Sequence, residues 1–163
     1  MMRPRTMLRA ALAALAIAVP ATATAPKTQY ERFTTDSVEI MDRETTLVWD
    51  RKRVIKQASL GAAQAYCDGT VFPANNGRVP TIKELLTLVD EDPHTEYDTT
   101  FKPPYVQKYI DQNAFADTKS PVDKPYLSST PGFNPGEYWT ADFRTGKTAI
   151  RTTGEPLYVR CVR

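Results

Sequence analysis

The stretch GRVPTIKELLTLVDED, residues 77–92, is the most strongly patterned run in the chain, and its reading decides the fold. Thr81 precedes the first helical residue and Glu84 follows three positions later. That is the spacing of a capping box, in which the threonine hydroxyl accepts from the Glu84 N–H and the glutamate accepts from the Thr81 N–H. Pro80 fixes the approach of the chain. Ile82, Leu85, Leu86 and Val89 fall at i, i+3, i+4 and i+7, one apolar stripe that needs a core to cover it. The pattern reads as a core helix. Glu84 is expected to hold helix-end amides rather than to transfer protons. Asp90, Glu91 and Asp92 follow, then His94, Glu96 and Asp98. These acids lack the alternate-position spacing around a glycine that a calcium loop uses, so they are expected to be solvated. No metal or other cofactor is expected.

Upstream, SLGAAQAYCDG reads as a shorter helix capped by Ser59, with Ala63, Tyr66 and Cys67 on one face and Gly69 at its end. FPANNG joins the two helices as a loop. Before them, SVEIMDRETTLVWD alternates Val38, Ile40, Leu47 and Trp49 with polar residues around a turn at Asp42–Thr45, the pattern of a hairpin. The basic run Arg51, Lys52, Arg53 and Lys56 reads as a solvated connection, with an anion-binding patch as the other reading.

Downstream, residues 90–125 lack strong periodicity, although YVQKYIDQNAF is compatible with a helical turn. A long segment without regular structure in a domain of this size points to a ligand-facing loop. The C-terminal part reads as a β-meander: YLSST, EYWTADF, a turn at RTGK with Gly146 at its tight point, TAIRTT, and LYVRCVR. In the last strand Leu157, Val159 and Cys161 share one face, and Tyr158, Arg160 and Val162 the other. Arg160 is therefore either exposed on a half-wet sheet or buried against a carboxylate.

The chain has 163 residues. Its first 23 read as a secretory signal peptide: Arg3, Arg5 and Arg9, an apolar run from Ala10 to Val19, and a small-residue exit at Ala21–Ala23. About ten apolar residues fall short of the roughly twenty that a membrane span requires. Residues 24–36 read as a flexible leader and 37–163 as one domain. Without the three signal arginines the chain carries 18 basic and 19 acidic residues, which argues against a nucleic-acid partner selected by net charge. Export implies an oxidising compartment, periplasmic or extracellular, where the two cysteines, Cys67 and Cys161, are expected to form a disulfide. The other reading is two free or metal-binding thiols, but zinc needs four ligands and His94 is the single histidine.

In this order, TTLVWD, AAQAYC, GRVPTIKELLTLVD, YLSST, YWTADF, the Gly146 turn and YVRCVR resemble the Lcl C-terminal domain family. That family is named after a bacterial collagen-like adhesin and was long catalogued as a domain of unknown function. The resemblance runs from about Ser37 to Arg163. It departs from the pattern at Asn76-Gly77, where members carry a tryptophan, and at Tyr126-Leu127, where Tyr-Trp is usual. It implies an α+β, C-type-lectin-like fold, with two helices packed on a small twisted antiparallel sheet. A bridge from the first helix to the last strand is a hallmark of that fold. The resemblance also implies surface adhesion, including binding of sulfated polysaccharide by the founding adhesin.

Residues 144–163 hold Arg144, Lys147, Arg151, Arg160 and Arg163 against Glu155 alone, a local charge of +4. Arg144, Lys147 and Arg151, with Tyr105 and Tyr109 from the irregular loop, are the candidate ligand-binding residues. The expected function is a secreted or surface-exposed, non-catalytic binding module for a sulfated or anionic polysaccharide. The alternative is an assembly subunit of a cell-envelope or appendage complex that binds another protein, for which exposed aromatics at Tyr105, Tyr109 and Phe115 would be the sign. No catalytic residue is expected. A formylglycine-generating-type enzyme needs reactive cysteines that the disulfide would consume, and His94 lacks a nucleophile motif such as G-x-S-x-G. Calcium-dependent sugar binding is not expected either, because Asn134-Pro135-Gly136 lacks the usual carboxylate.

Overall fold

The computed structural model describes residues 28–34, 38–51, 55–72, 76–99, 101–115 and 123–163. The expected signal peptide, residues 24–27 and 35–36 of the expected leader, Lys52 and Arg53 of the basic run, and the middle of the FPANNG loop lie outside the described residues. Among those described, ten short strands and two short helices form the domain. It is mostly β with two helices, within the expected α+β class.

Strands β1 (Tyr30–Arg32), β2 (Glu39–Asp42) and β3 (Val48–Asp50) make an antiparallel sheet in that order. The hairpin expected from the alternation is β2–β3, with Ile40 opposite Trp49 and both buried. Strand β1 corrects the expectation of a leader through residue 36. Tyr30 pairs with Asp42, and its ring meets Phe115 edge-on at 5.3 Å. Burial of that ring and the hydrogen bond from Arg32 to the Asn113 carbonyl at 2.6 Å fasten the segment beside β2.

The second sheet contains β4 (Ile55–Gln57), β7 (Tyr126–Pro131), β8 (Glu137–Asp142), β9 (Lys147–Thr152) and β10 (Leu157–Val159). Its order is β4-β10-β7-β8-β9. The expected meander therefore covers only β7–β9. The last strand crosses back and lies parallel to β7 and antiparallel to β4. Its reason is burial: every residue from Leu157 to Val162 is buried, so the strand needs neighbours on both sides. The chain then runs on between the two sheets. Val48 and Arg163 exchange backbone bonds at 3.0 and 2.9 Å, and Arg78 and Val162 do so at 2.8 and 3.0 Å.

The alternation read in the last strand holds. Leu157, Val159 and Cys161 join a cluster with Ala63, Cys67, Phe72 and Val79, whereas Tyr158 and Val162 join one with Trp49, Leu85, Phe115 and Phe143. Arg160 lies on the second face and fits neither expectation: it is fully buried, and among the described residues it forms no ion pair with a carboxylate. Its Nη1 donates to the carbonyls of Asp50 at 2.7 Å and Arg51 at 3.3 Å. The guanidinium lies over the Phe115 ring at 4.6 Å and near that of Tyr126 at 5.8 Å. Burial pushes the Tyr126 hydroxyl up to about 12, while the Arg160 charge pulls it the other way.

Helix α1 (Leu60–Tyr66) is capped by Ser59, whose Oγ accepts from the Ala62 N–H at 3.3 Å. It runs into one π-helical turn, Cys67–Val71, rather than stopping at Gly69. Cys67 there is bonded to Cys161 with a Cα–Cα separation of 5.4 Å, inside the usual disulfide range. The bridge ties the first helix to the C-terminal strand across 94 residues of sequence.

Helix α2 (Ile82–Leu86) has the full capping box. The Glu84 carboxylate accepts from the Thr81 N–H at 2.7 Å, and the Thr81 hydroxyl accepts from the Glu84 N–H at 3.3 Å. The apolar stripe is corrected in detail. Leu85 and Leu88 are buried, Ile82 and Val89 are half-buried, and Leu86 is 41% exposed. After Leu86 the bonds shorten to i→i+3, from Leu88 to Leu85 and from Val89 to Leu86. Such a turn has three residues per revolution, so Leu88 falls beneath Leu85 where an ideal α-helix would have used Leu86 and Val89.

Arg78 grips the Glu84 carboxylate with both nitrogens, at 2.8 and 2.5 Å. That ion pair, with the Thr81 amide and hydroxyl, holds the Glu84 carboxyl down at about 2. A depressed carboxyl stabilises the fold above its unfolded value of about 4.5 and loses that effect as pH falls toward 2. We expect Glu84→Gln to lower stability at pH 7 by about 1 kcal/mol, and the gap to wild type to narrow on acidification from pH 5 to pH 2. Denaturant titrations across that range check it; a gap independent of pH would contradict it.

Candidate functional site

The segment expected to be irregular contains a second hairpin. Strand β5 (His94–Tyr97) pairs with β6 (Tyr105–Lys108), with His94 opposite Lys108 and Tyr97 opposite Tyr105. YVQK is thus a strand and not a helical turn. Val106 and Lys108 point inward and are buried, and Tyr105 and Gln107 point outward. The buried Lys108 ammonium is paired with Glu96. The hairpin is fastened to the rest of the domain along one line. Tyr109 N–H donates to the Phe143 carbonyl at 2.7 Å, Asp90 N–H donates to that of Tyr109 at 3.0 Å, and Val106 and Ile110 enter the core.

Between this hairpin and the β8–β9 turn lies a groove of about 460 Å³. Thr95, Tyr105 and Gln107 line it from the hairpin, Phe101, Lys102 and Pro103 from its tip, and Arg144 and Thr145 from the turn. Tyr105 is 65% exposed and Tyr97 is 63% exposed, and their rings meet edge-on at 5.5 Å. Lys102 and Arg144 form no ion pair within 4 Å among the described residues. The groove therefore presents two uncommitted cations beside an aromatic face and the neutral polar side chains of Thr95, Gln107 and Thr145.

The Arg144 wall is built by local rules. Asp142 Oδ1 accepts from the Arg144 N–H at 2.8 Å, and the Thr145 and Gly146 N–H groups donate to the Asp142 carbonyl. Gly146 closes the turn at φ +68°, the left-handed region that favours glycine. A Cβ there would stand 3.0 Å from the Tyr109 ring. Tyr109 is thus half-buried against the turn and spaces the two walls of the groove.

Of the candidate residues, the structure brings Tyr105 and Arg144 together. Lys147 and Arg151 lie further along β9, both exposed on the same face. Arg151 lines a different concavity of about 320 Å³ with Glu137 and Glu155. The charge of +4 read over residues 144–163 is smaller at the surface, since Arg160 is buried and Arg163 is paired with Glu39 at 2.8 Å. Phe115, expected in an aromatic patch, is buried in the core. Lys102, Thr95, Gln107 and Tyr97 were not foreseen. The available signal was weak: strand-favouring Thr95, Tyr97, Tyr105 and Val106 stand on either side of the turn residues Pro103-Pro104.

The acidic cluster is spread out. Asp90, Asp92, His94 and Asp111 border a shallow depression, and Asp90 and Asp111 cap backbone N–H groups at 3.0 and 2.7 Å. Among the described residues no group of three acids, histidines or cysteines is placed to hold a metal ion. No helix there is long and apolar enough to cross a membrane.

A small disulfide-tied α+β module with an exposed cationic and aromatic groove is the class this geometry defines. The profile of the Lcl C-terminal domain matches residues 39–163, and the chain belongs to that family. No curated protein matches it.

Proposed function

We propose that the protein is an exported, surface-exposed and non-catalytic adhesion module that takes an anionic polysaccharide in the groove between the β5–β6 hairpin and the β8–β9 turn. The observation that carries this reading is the pairing of two uncommitted cations, Lys102 and Arg144, with the exposed Tyr105 ring. A sugar ring offers a C–H face for the aromatic and a sulfate or carboxylate for the cations. Membership of the Lcl C-terminal domain family supports the surface role. The Cys67–Cys161 bridge is consistent with an oxidising compartment outside the cytoplasm. The proximity of the hairpin β2–β3 to the C-terminal strand, and the helix-to-last-strand disulfide, support a C-type-lectin-like arrangement.

The test is an array of sulfated and neutral glycans probed with the protein, with and without Ca²⁺. Salt-sensitive binding to sulfated glycans is expected, independent of Ca²⁺. Replacing Lys102 and Arg144 together by alanine is expected to weaken it about tenfold, from two exposed charge contacts each worth under about 1 kcal/mol. An array without salt-sensitive anionic hits would sink the reading. The second reading, docking of a protein in an envelope assembly, is favoured by the exposed Tyr97–Tyr105 pair, since tyrosine and arginine dominate protein contact sites.

A further inference from the structure

The five-stranded sheet ends in two unlike edges. Strand β4 has three residues, and β9 has six in unbroken register with β8 from Glu137↔Thr152 to Asp142↔Lys147. Among the described residues β9 pairs with β8 alone. It contains no proline and no bulge, and the β-branched Thr148, Ile150 and Thr152 suit a strand. Along such an edge every second residue turns its N–H and C=O away from the sheet, ready to accept another strand.

The side chains of this edge define what could pair with it. Lys147, Ala149 and Arg151 share one face, with the two charges roughly 13 Å apart along the strand. Neither cation forms an ion pair among the described residues, although Arg151 shares its concavity with Glu137 and Glu155. Asp142 stands opposite Lys147, but its Oδ1 is held by the Arg144 N–H. A second copy of this chain is a poor match. Pairing β9 antiparallel with itself about Ala149 would set Lys147 against Arg151, and like charges opposite one another destabilise a ladder. A strand with acids on alternate positions meets both cations and leaves its other face free.

We propose that the β9 edge receives an extended acidic segment of a partner protein as a sixth strand, bound by main-chain hydrogen bonds and kept in register by Lys147 and Arg151. This mode of recognition takes affinity from the backbone and selectivity from alternate side chains. The surface is separate from the groove and does not depend on what the groove binds.

A short fluorescein-labelled peptide of alternating glutamate and valine tests this on the full chain at low salt. Anisotropy should show saturable binding, and amide exchange over residues 147–152 should slow on adding peptide while the β5–β6 amides are unchanged. The same peptide N-methylated on alternate residues keeps its charge but loses its outward donors, and it should bind at least about tenfold more weakly. The double variant Lys147→Glu, Arg151→Glu should lose the acidic peptide and gain one of alternating lysine and valine, a gain that misfolded protein could not produce. Equal protection of residues 147–152 by heparin or by the N-methylated peptide would overturn the proposal, because the edge would then read charge alone. Absence of protection by any of the three would overturn it as well.

Discussion

Replacing both Cys67 and Cys161 by alanine is expected to lower the unfolding free energy by about 4 kcal/mol, the loop-entropy contribution of a cross-link closing some 95 residues. The magnitude follows from the bridge's position. It joins the turn after α1 to the strand that runs between the two sheets, and both sulfur-bearing residues are fully buried. Without it the open chain gains nearly its whole conformational freedom between residues 67 and 161. Alanine also leaves a small void beside Ala63, Phe72 and Val159. Urea unfolding of the oxidised, reduced and double-alanine proteins measures the effect. Reduced and double-alanine forms should both fall well below the oxidised form, the double-alanine form somewhat lower for its void. A loss under about 1 kcal/mol would mean that the unfolded chain is already compact around these positions.

The second large effect is expected at Arg160. Arg160→Ala should destabilise the fold by about 3 to 5 kcal/mol, from buried carbonyls left without a donor and the void left by a large buried side chain. It removes the donor to the Asp50 and Arg51 carbonyls and the flat group beneath Phe115 and Tyr126. Arg160→Met is expected to lose less, under about 2 kcal/mol, because an apolar chain of similar length fills the space and ends the desolvation of a charge. The two carbonyls still lose their donor, so the methionine variant should not reach wild type. Thermal denaturation of the three proteins orders them. Methionine below alanine would contradict the account, and so would alanine within about 1 kcal/mol of wild type.

The disulfide and Arg160 also mark how far the sequence could be read. Patterns generated by local chemistry were legible. The capping box at Thr81 and Glu84, the Ser59 cap, the β2–β3 alternation and the two faces of the last strand all depend on neighbours within a few positions. The disulfide was legible because the chain has only two cysteines. The features that escaped depend on distant neighbours. Arg160 pairs with carbonyls about 110 positions away, which no spacing rule encodes. Tyr30 was read as part of a leader because its partner, Phe115, lies 85 positions on. The β5–β6 hairpin was hidden by composition, since HTEY and YVQK offer only Val106 to the core and carry a buried lysine where an apolar residue would have signalled a strand.

The candidate site was legible in part for the same reason. Arg144 and Tyr105 were chosen for charge and aromaticity, and they do share a groove. Lys147 and Arg151 were grouped with Arg144 by sequence proximity, but a strand carries successive residues away at about 3.3 Å each. Two residues that looked like one patch therefore belong to a different surface. Lys102 went unnoticed because only the hairpin turn brings it opposite Arg144.

The contact of the Tyr109 ring with Gly146 separates two properties that most binding loops combine. The gap between the walls is set below the tip, by a ring against a glycine and by one backbone bond from Tyr109 to Phe143. Asp98 and the tip residues 101–104 lie beyond that fixed point. Phe101 still packs against the core, but exchanges at the exposed Lys102 and Pro103 alter reach and chemistry without disturbing the spacing beneath, as exposed loop tips commonly allow. The fold thus carries a calibrated aperture with an interchangeable rim, a form in which one scaffold can be retargeted by changing a handful of residues.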